Sequence, residues 1–154
     1  MGCHKGHRGD NCVCDILKEI ADAQSDVIEN CCESSCEQSI DELLGETDRR
    51  GKDTVPLILY CRDGCQPFKG FGTLRKHGDH LDEMQTSFIF RVKKVMDDCC
   101  AIIELLLADA DLCKDLKNPK HQETKNLKAT GICITVDLNC FCHVTCLPAI
   151  NALE

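Results

Sequence analysis

The apolar positions change their period along the chain, and each change marks an element. Val13, Ile16, Leu17, Ile20, Val27 and Ile28 recur at three- and four-residue steps, with Ala21 and Ala23 adding propensity. This spacing predicts an amphipathic helix over 12–30, capped by Asp10 or Asn11. Ser35 with Gln38 three residues on has capping-box form, and Ile40, Leu43 and Leu44 make one stripe before Gly45, which predicts a second, short helix over 36–44. Gly45 to Lys52 is a charged loop. From Asp53 the period falls to two. Val55, Leu57 and Leu59 alternate with Ile58 and Tyr60, and Asp63-Gly64 is a hairpin turn ahead of Phe68 and Phe71. Pro56 lacks a ladder donor, so this strand is expected to begin at a sheet edge.

Residues 73–86 are polar and read as a loop. Phe88, Phe90 and Val92, then Ala101, Ile103, Leu105 and Leu107, mark a second hairpin over 87–107 turning at Asp97-Asp98. On its opposite face Cys100, Ile102 and Leu106 leave only Glu104 polar, so both faces are expected to be covered, by the fold or by a neighbouring subunit. Residues 108–130 are rich in Asp and Lys and read as a long exposed excursion. Ile132, Ile134, Val136 and Leu138 then alternate with Cys133, Thr135 and Asp137, a strand with one face in a core. If the extended backbone runs past Asn139, then Cys140, Cys142, Val144 and Cys146 continue that face, with sulfurs about 7 Å apart. Disulfide Cβ atoms approach to about 4 Å, so such thiols need partners elsewhere unless Asn139 turns the chain. The expected fold is α+β and mainly antiparallel β. Sandwich-like hairpins carry Val55, Leu57, Phe88, Phe90, Ile103, Leu105, Ile134 and Val136 on the inner face, with the N-terminal helix on or beside them.

Composition narrows this. The chain has 154 residues, 43% of them hydrophobic, enough for one domain to bury a core without disulfides. It nevertheless holds 15 cysteines, an odd number, so at least one is left free, bound to metal or joined to another molecule. They are Cys3, Cys12, Cys14, Cys31, Cys32, Cys36, Cys61, Cys65, Cys99, Cys100, Cys113, Cys133, Cys140, Cys142 and Cys146, all candidates for disulfides or cross-links. Residues 1–10, with Cys3, His4 and His7 among glycines and charges, read as a flexible arm, and 11–150 as a single cysteine-rich domain. No apolar run opens the chain and none is long enough to span a bilayer, so a secretory signal and a membrane partner are not expected. The net charge of −8 argues against nucleic acid, since no basic stripe could release phosphate counterions.

Candidate chemistry is sparse. Cys140-x-Cys142-His143-x-x-Cys146 offers soft ligands of zinc type, yet Cys142 and His143 diverge on an extended backbone, and disulfides or buried thiols compete with zinc. His77 and His80 sit in a charged loop where solvation is the simpler reading. Cys31-Cys32 and Cys99-Cys100 are adjacent. Each pair serves two different partners, or one member is a small buried hydrophobe. Cys61 and Cys65 flank the first turn, where a local disulfide is favoured over redox catalysis. No nucleophile with a base partner stands out, and Gly70-Phe71-Gly72 opens no helix, so neither an enzyme nor a cofactor is expected.

Three segments resemble one family: Gly51-Lys-Asp-Thr-Val-Pro-Leu57; Phe88-Ile-Phe-Arg-Val92 leading to Cys99-Cys-Ala101; and Cys133-Ile-Thr-Val-Asp-Leu-Asn-Cys-Phe-Cys142 with Cys146-Leu147. With the opening Asn11-Cys-Val-Cys14, they are similar to the CotY/CotZ/ExsY family of bacterial spore outer-layer proteins over most of 10–148. The resemblance implies a structural protein of the spore crust or exosporium basal layer. Such a protein is made without a signal peptide in the mother-cell cytoplasm and assembles with itself, as hexamers in a disulfide cross-linked two-dimensional lattice, and with other coat proteins. It also resolves the cysteine content, because a layer built in a reducing cell faces oxidising surroundings once that cell lyses.

Overall fold

The computed structural model describes Ile16, residues 34–45 and residues 52–153. The arm 1–10, the helix expected over 12–30 (Ile16 apart), Cys3, Cys12, Cys14, Cys31 and Cys32 lie outside the described residues. All described residues but Ile16 belong to one unit, Glu33–Glu154, and among them no helix is long and apolar enough to cross a membrane.

Helix α1, Cys36–Leu43, begins where its cap chemistry dictates. Ser35 is extended and its hydroxyl accepts the Gln38 amide at 3.0 Å. Past its end, Gly45 takes φ 81°, the left-handed value that glycine meets without a Cβ clash. The expected apolar stripe does not decide which face turns inward, since Ile40 and Leu44 are exposed and Ser39 is buried. Cys36 is disulfide-bonded to Cys146, and one helical turn on the Ser39 hydroxyl donates to Leu147 O at 2.6 Å. These two tethers set the rotation of the helix.

Nine strands follow among the described residues: β1 Leu57–Cys61, β2 Gly70–Gly72, β3 Arg75–His77, β4 His80–Leu81, β5 Gln85–Ser87, β6 Phe90–Val95, β7 Cys100–Leu107, β8 Lys128–Asp137 and β9 Phe141–Cys146. Five form an antiparallel sheet in the order β8-β7-β6-β1-β9, while β2 pairs with β5 and β3 with β4. The hairpin expected over 87–107 is β6 and β7, turning through Asp97–Cys99. Its register sets Phe90 opposite Leu105 and Val92 opposite Ile103, and β8 adds Ile134 beside Ile103. One face buries Leu57, Leu59, Phe90, Ala101, Ile103, Leu105, Ile132 and Val136, with Phe68, Ile134, Leu138 and Phe141 packed against it. Each such large side chain removed from water is worth about 1.5–3 kcal/mol.

Several expectations are corrected. Phe88 leaves the inner face for a separate group with Leu107 and Leu116, because the chain bends there and the alternation breaks; Val55 is only half-buried ahead of β1. Strand β1 lies between β6 and β9, away from any edge. Pro56 precedes its first residue, so the missing donor costs no ladder bond, and its carbonyl accepts the Leu147 amide at 2.8 Å. The turn at Asp63-Gly64 forms, closed by Cys61 N–H to Gln66 O at 2.8 Å. Its return pairs only as far as Phe68, beyond which the chain departs to β2. Segment 73–86 holds β3 and β4, and leads into β5. Segment 108–130 packs inward through Leu116, Gln122 and Leu127. Gln122 accepts the Phe88 amide at 2.8 Å and donates to Ser87 Oγ and Leu106 O at 2.9 and 3.1 Å. On the outer face Glu104 is buried yet paired with Arg91 at 3.2 Å, and Leu106 is covered by Ile89, Leu127 and Ala152 of the same chain.

One sheet with two ribbons stands where facing hairpins were expected, and the sheet must coil. Asp137 ends β8 and Phe141 begins β9, at opposite edges. A flat five-stranded sheet holds its outer strands about 19 Å apart, while four Cα steps reach about 14 Å at full extension. Residues Leu138–Cys140 form a tighter 3-10 turn still. The two edges therefore converge at this connector. Strand β2 lies over the inner face, with Gly70 against Phe90 and Ile134, and Gly72 against Ile132.

Candidate functional site

The convergence of the edges gathers thiols. The connector breaks the row of sulfurs that a continuous extended strand would present. The Asp137 carboxylate accepts the Asn139 amide at 2.9 Å and bends the chain, so β9 crosses to the far edge beside β1. There Arg62 clamps turn and connector together. Its backbone N–H donates to Cys140 O at 2.7 Å, and its guanidinium donates to Asn139 O at 2.9 Å and Phe141 O at 3.5 Å. The turn residue Cys65, left-handed at φ 50°, then meets Cys142 of β9, with the two sulfurs 3.7 Å apart. The Cys142 thiol also lies 3.4 Å from Cys61 O. Burial pushes the Cys142 thiol above its ordinary pKa, and the Cys65 thiol beside it adds to the shift. Half-buried Cys61 and exposed Cys140 line an open groove of about 510 Å³ next to the pair.

The four zinc-type residues of 140–146 are not brought together. Cys146 is disulfide-bonded to Cys36, Cys142 faces Cys65, and His143 stacks on Tyr60 with ring centroids 3.9 Å apart. Among the described residues no group of three or more His, Cys, Asp or Glu is arranged to hold a metal ion. His77 and His80 are register partners across the β3–β4 ribbon, both exposed.

The remaining thiols are dispersed. Cys99 is exposed at φ 62° on the β6–β7 turn, and its neighbour Cys100 is half-buried opposite Asp137, so the two diverge. Cys113 is exposed at φ 64°; Gln85 accepts its amide at 2.8 Å and donates to its sulfur at 3.4 Å. Cys133 is exposed on edge strand β8. Cys146 and Cys142 meet partners within the chain, Cys36 and Cys65. Cys140 and Cys142 are exposed because the connector turns them off the apolar face. Sequence reasoning missed both the Cys36–Cys146 bond and the Cys65–Cys142 contact. Asp137-x-Asn139 carried the signal for the bend, but the partner across the sheet is a long-range pairing that no local spacing encodes.

No solved structure matches the chain. The family described as spore coat protein Z matches residues 1–149. Spore coat protein Z of Bacillus subtilis (strain 168) is 33% identical over 141 residues, covering 89% of this chain and 88% of that protein. The resemblance carried by the three segments is borne out, and the chain belongs to the spore coat protein Z family.

Proposed function

We propose that this protein is a structural component of the spore's outer surface, in the crust or the exosporium basal layer. Copies assemble with one another and with other coat proteins into two-dimensional hexagonal sheets, which disulfides then cross-link. Beyond family membership, one observation carries the reading: eight cysteines among the described residues are free, and six of them are exposed. A cysteine kept only for packing is buried. Here the thiols stand on turns, on an edge strand and in the connector, where a neighbouring chain can reach them. A repeating head-to-tail contact closes a ring when its rotation fits six copies, and contacts between rings tile a plane.

Electron micrographs of the purified protein test this, with sheets of six-fold repeat expected. Heating in detergent without reductant should leave covalent multimers that reductant converts to monomer. Monomer alone before reduction removes the cross-links from the proposal, and amorphous aggregates remove the lattice. Cys113→Ser and Cys3→Ser should each lower the multimer fraction while leaving the fold intact. Cys113 is exposed in the fold; Cys3 belongs to the arm outside the described residues.

A further inference from the structure

We propose that Cys65 and Cys142 are a dithiol pair that closes into a disulfide within one chain, stapling the 62–66 turn to β9 instead of linking neighbours. The sulfurs stand 3.7 Å apart, in contact but unbonded, and both residues are exposed to a soluble oxidant. Their approach is built by the fold. Cys65 belongs to a turn closed by Cys61 N–H to Gln66 O, and three hydrogen bonds from Arg62 tie that turn to residues 139–141, immediately before Cys142. A disulfide requires sulfurs at about 2.05 Å, a closure of under 2 Å from here. Held this way, each thiol sees the other at an effective concentration far above that of any neighbouring chain.

The oxidant is a low-molecular-weight disulfide such as glutathione disulfide. Cys65 attacks one of its sulfurs as the thiolate, the S–S bond breaks, and one glutathione leaves, taking the proton that Cys65 gave up. Cys142 then attacks the Cys65 sulfur of the mixed disulfide, and the second glutathione leaves with the Cys142 proton. The two protein thiols have lost two electrons and two protons, and the small disulfide has become two thiols. Partial desolvation and the adjacent Cys65 thiol raise the pKa of Cys142, so Cys142 is assigned the second step, as the resolving thiol. Its step speeds up as pH rises.

The test uses full-length chains, half carrying natural nitrogen and half nitrogen-15, mixed and exposed to glutathione disulfide. After thiol blocking and digestion, the peptide carrying Cys65 should be joined to that carrying Cys142 in same-isotope products, with mixed-isotope products at least tenfold rarer. In Cys142→Ser, Cys65 should accumulate as a lasting mixed disulfide with glutathione. Arg62→Ala should lengthen the life of that intermediate several-fold in an otherwise folded chain, whereas a turn needing no clamp would show no change. Mixed-isotope linkage of Cys65 to Cys142, or Cys65 bonded to Cys61, overturns the proposal. Covalent multimers formed through other cysteines should persist in Cys65→Ser, so failure of this staple is separable from failure of the lattice.

Discussion

Gly70 offers a direct test of how the inner face is packed. A Cβ built there would lie 2.7 and 3.0 Å from two ring carbons of Phe90 and 3.1 Å from Ile134 Cδ1. Carbon atoms rest at about 3.5–4.0 Å, so the closest overlap approaches 1 Å. Phe90 has no exposed surface and its ring abuts Phe68 at a centroid distance of 5.6 Å, which leaves it no free direction in which to yield. The φ of Gly70 is not positive, so the demand is for space and not for backbone freedom. Overpacking of this kind costs about 1–3 kcal/mol, and alanine recovers about 0.4–1 kcal/mol by restricting the unfolded chain. Gly70→Ala should therefore destabilise by about 1–2 kcal/mol, or lower Tm by roughly 2–8 °C for a chain of this size. Circular dichroism melts of dilute, thiol-alkylated protein read the shift. Phe71→Ala next door, on an exposed side chain, should stay within about 0.5 kcal/mol of the parent. Phe90→Leu opens room for the new methyl, so the double variant should be more stable than the summed losses by about 0.5–3 kcal/mol. A Gly70→Ala protein as stable as the parent, or a strictly additive cycle, would refute this account of the inner face.

Cys36→Ser removes a bond spanning 110 residues and should cost about 2–4 kcal/mol in urea unfolding without reductant, a difference that vanishes when both proteins are reduced. Gln122→Ala strands the buried Phe88 amide, so a loss of about 1–3 kcal/mol and faster hydrogen exchange at Phe88 are expected; unchanged exchange would count against the bond. Burial pushes the Asp53 carboxyl up, but the Thr54 hydroxyl, the Ala152 and Leu153 amides and the Arg91 charge outweigh it and hold its pKa below the ordinary value. Its contribution is then present above the unfolded-state pKa of about 3.9 and lost as pH falls through the folded value. The stability gap between parent and Asp53→Asn should be constant near neutrality and shrink below about pH 4, and a gap equal at pH 3 and pH 7 would contradict this.

What was legible in the sequence was local. The β6–β7 hairpin follows from the alternation of Phe90 and Val92 and of Ala101, Ile103 and Leu105 on the two sides of Asp97-Asp98, the Ile132–Val136 face from the same rule, and α1 from Ser35 and Gln38. The reading of 108–130 as an exposed excursion failed because it treated polarity as exposure. Gln122 and Asp111 sit in a charged stretch yet are buried, because each satisfies backbone amides that no apolar side chain could. Gly70 and Gly72 carry no phosphate signature; glycine within a strand marks another element approaching closely, and here that element is the core sheet. The thiol site was hidden for a different reason. Cys65 and Cys142 are 77 residues apart, and only the sheet order β6-β1-β9 brings them together.

The left-handed backbone at Cys65, Cys99 and Cys113 bears on how the thiol content could be pared down in the laboratory. A side chain at such φ values is disfavoured by about 1–2 kcal/mol, whereas glycine there gives up about 0.5–1 kcal/mol of chain entropy. In the reduced chain, exchange to glycine at these three turns should thus be close to neutral or mildly stabilising, whereas under oxidising conditions glycine at Cys65 also forgoes the staple to Cys142. The same exchange at Cys133 would weaken strand β8 outright, and serine at any of the three would keep the strain. The turn apices at Cys99 and Cys113 are thus the places where this chain can give up sulfur at no expense to the fold of the single chain, which orders the first steps toward a minimal-cysteine variant.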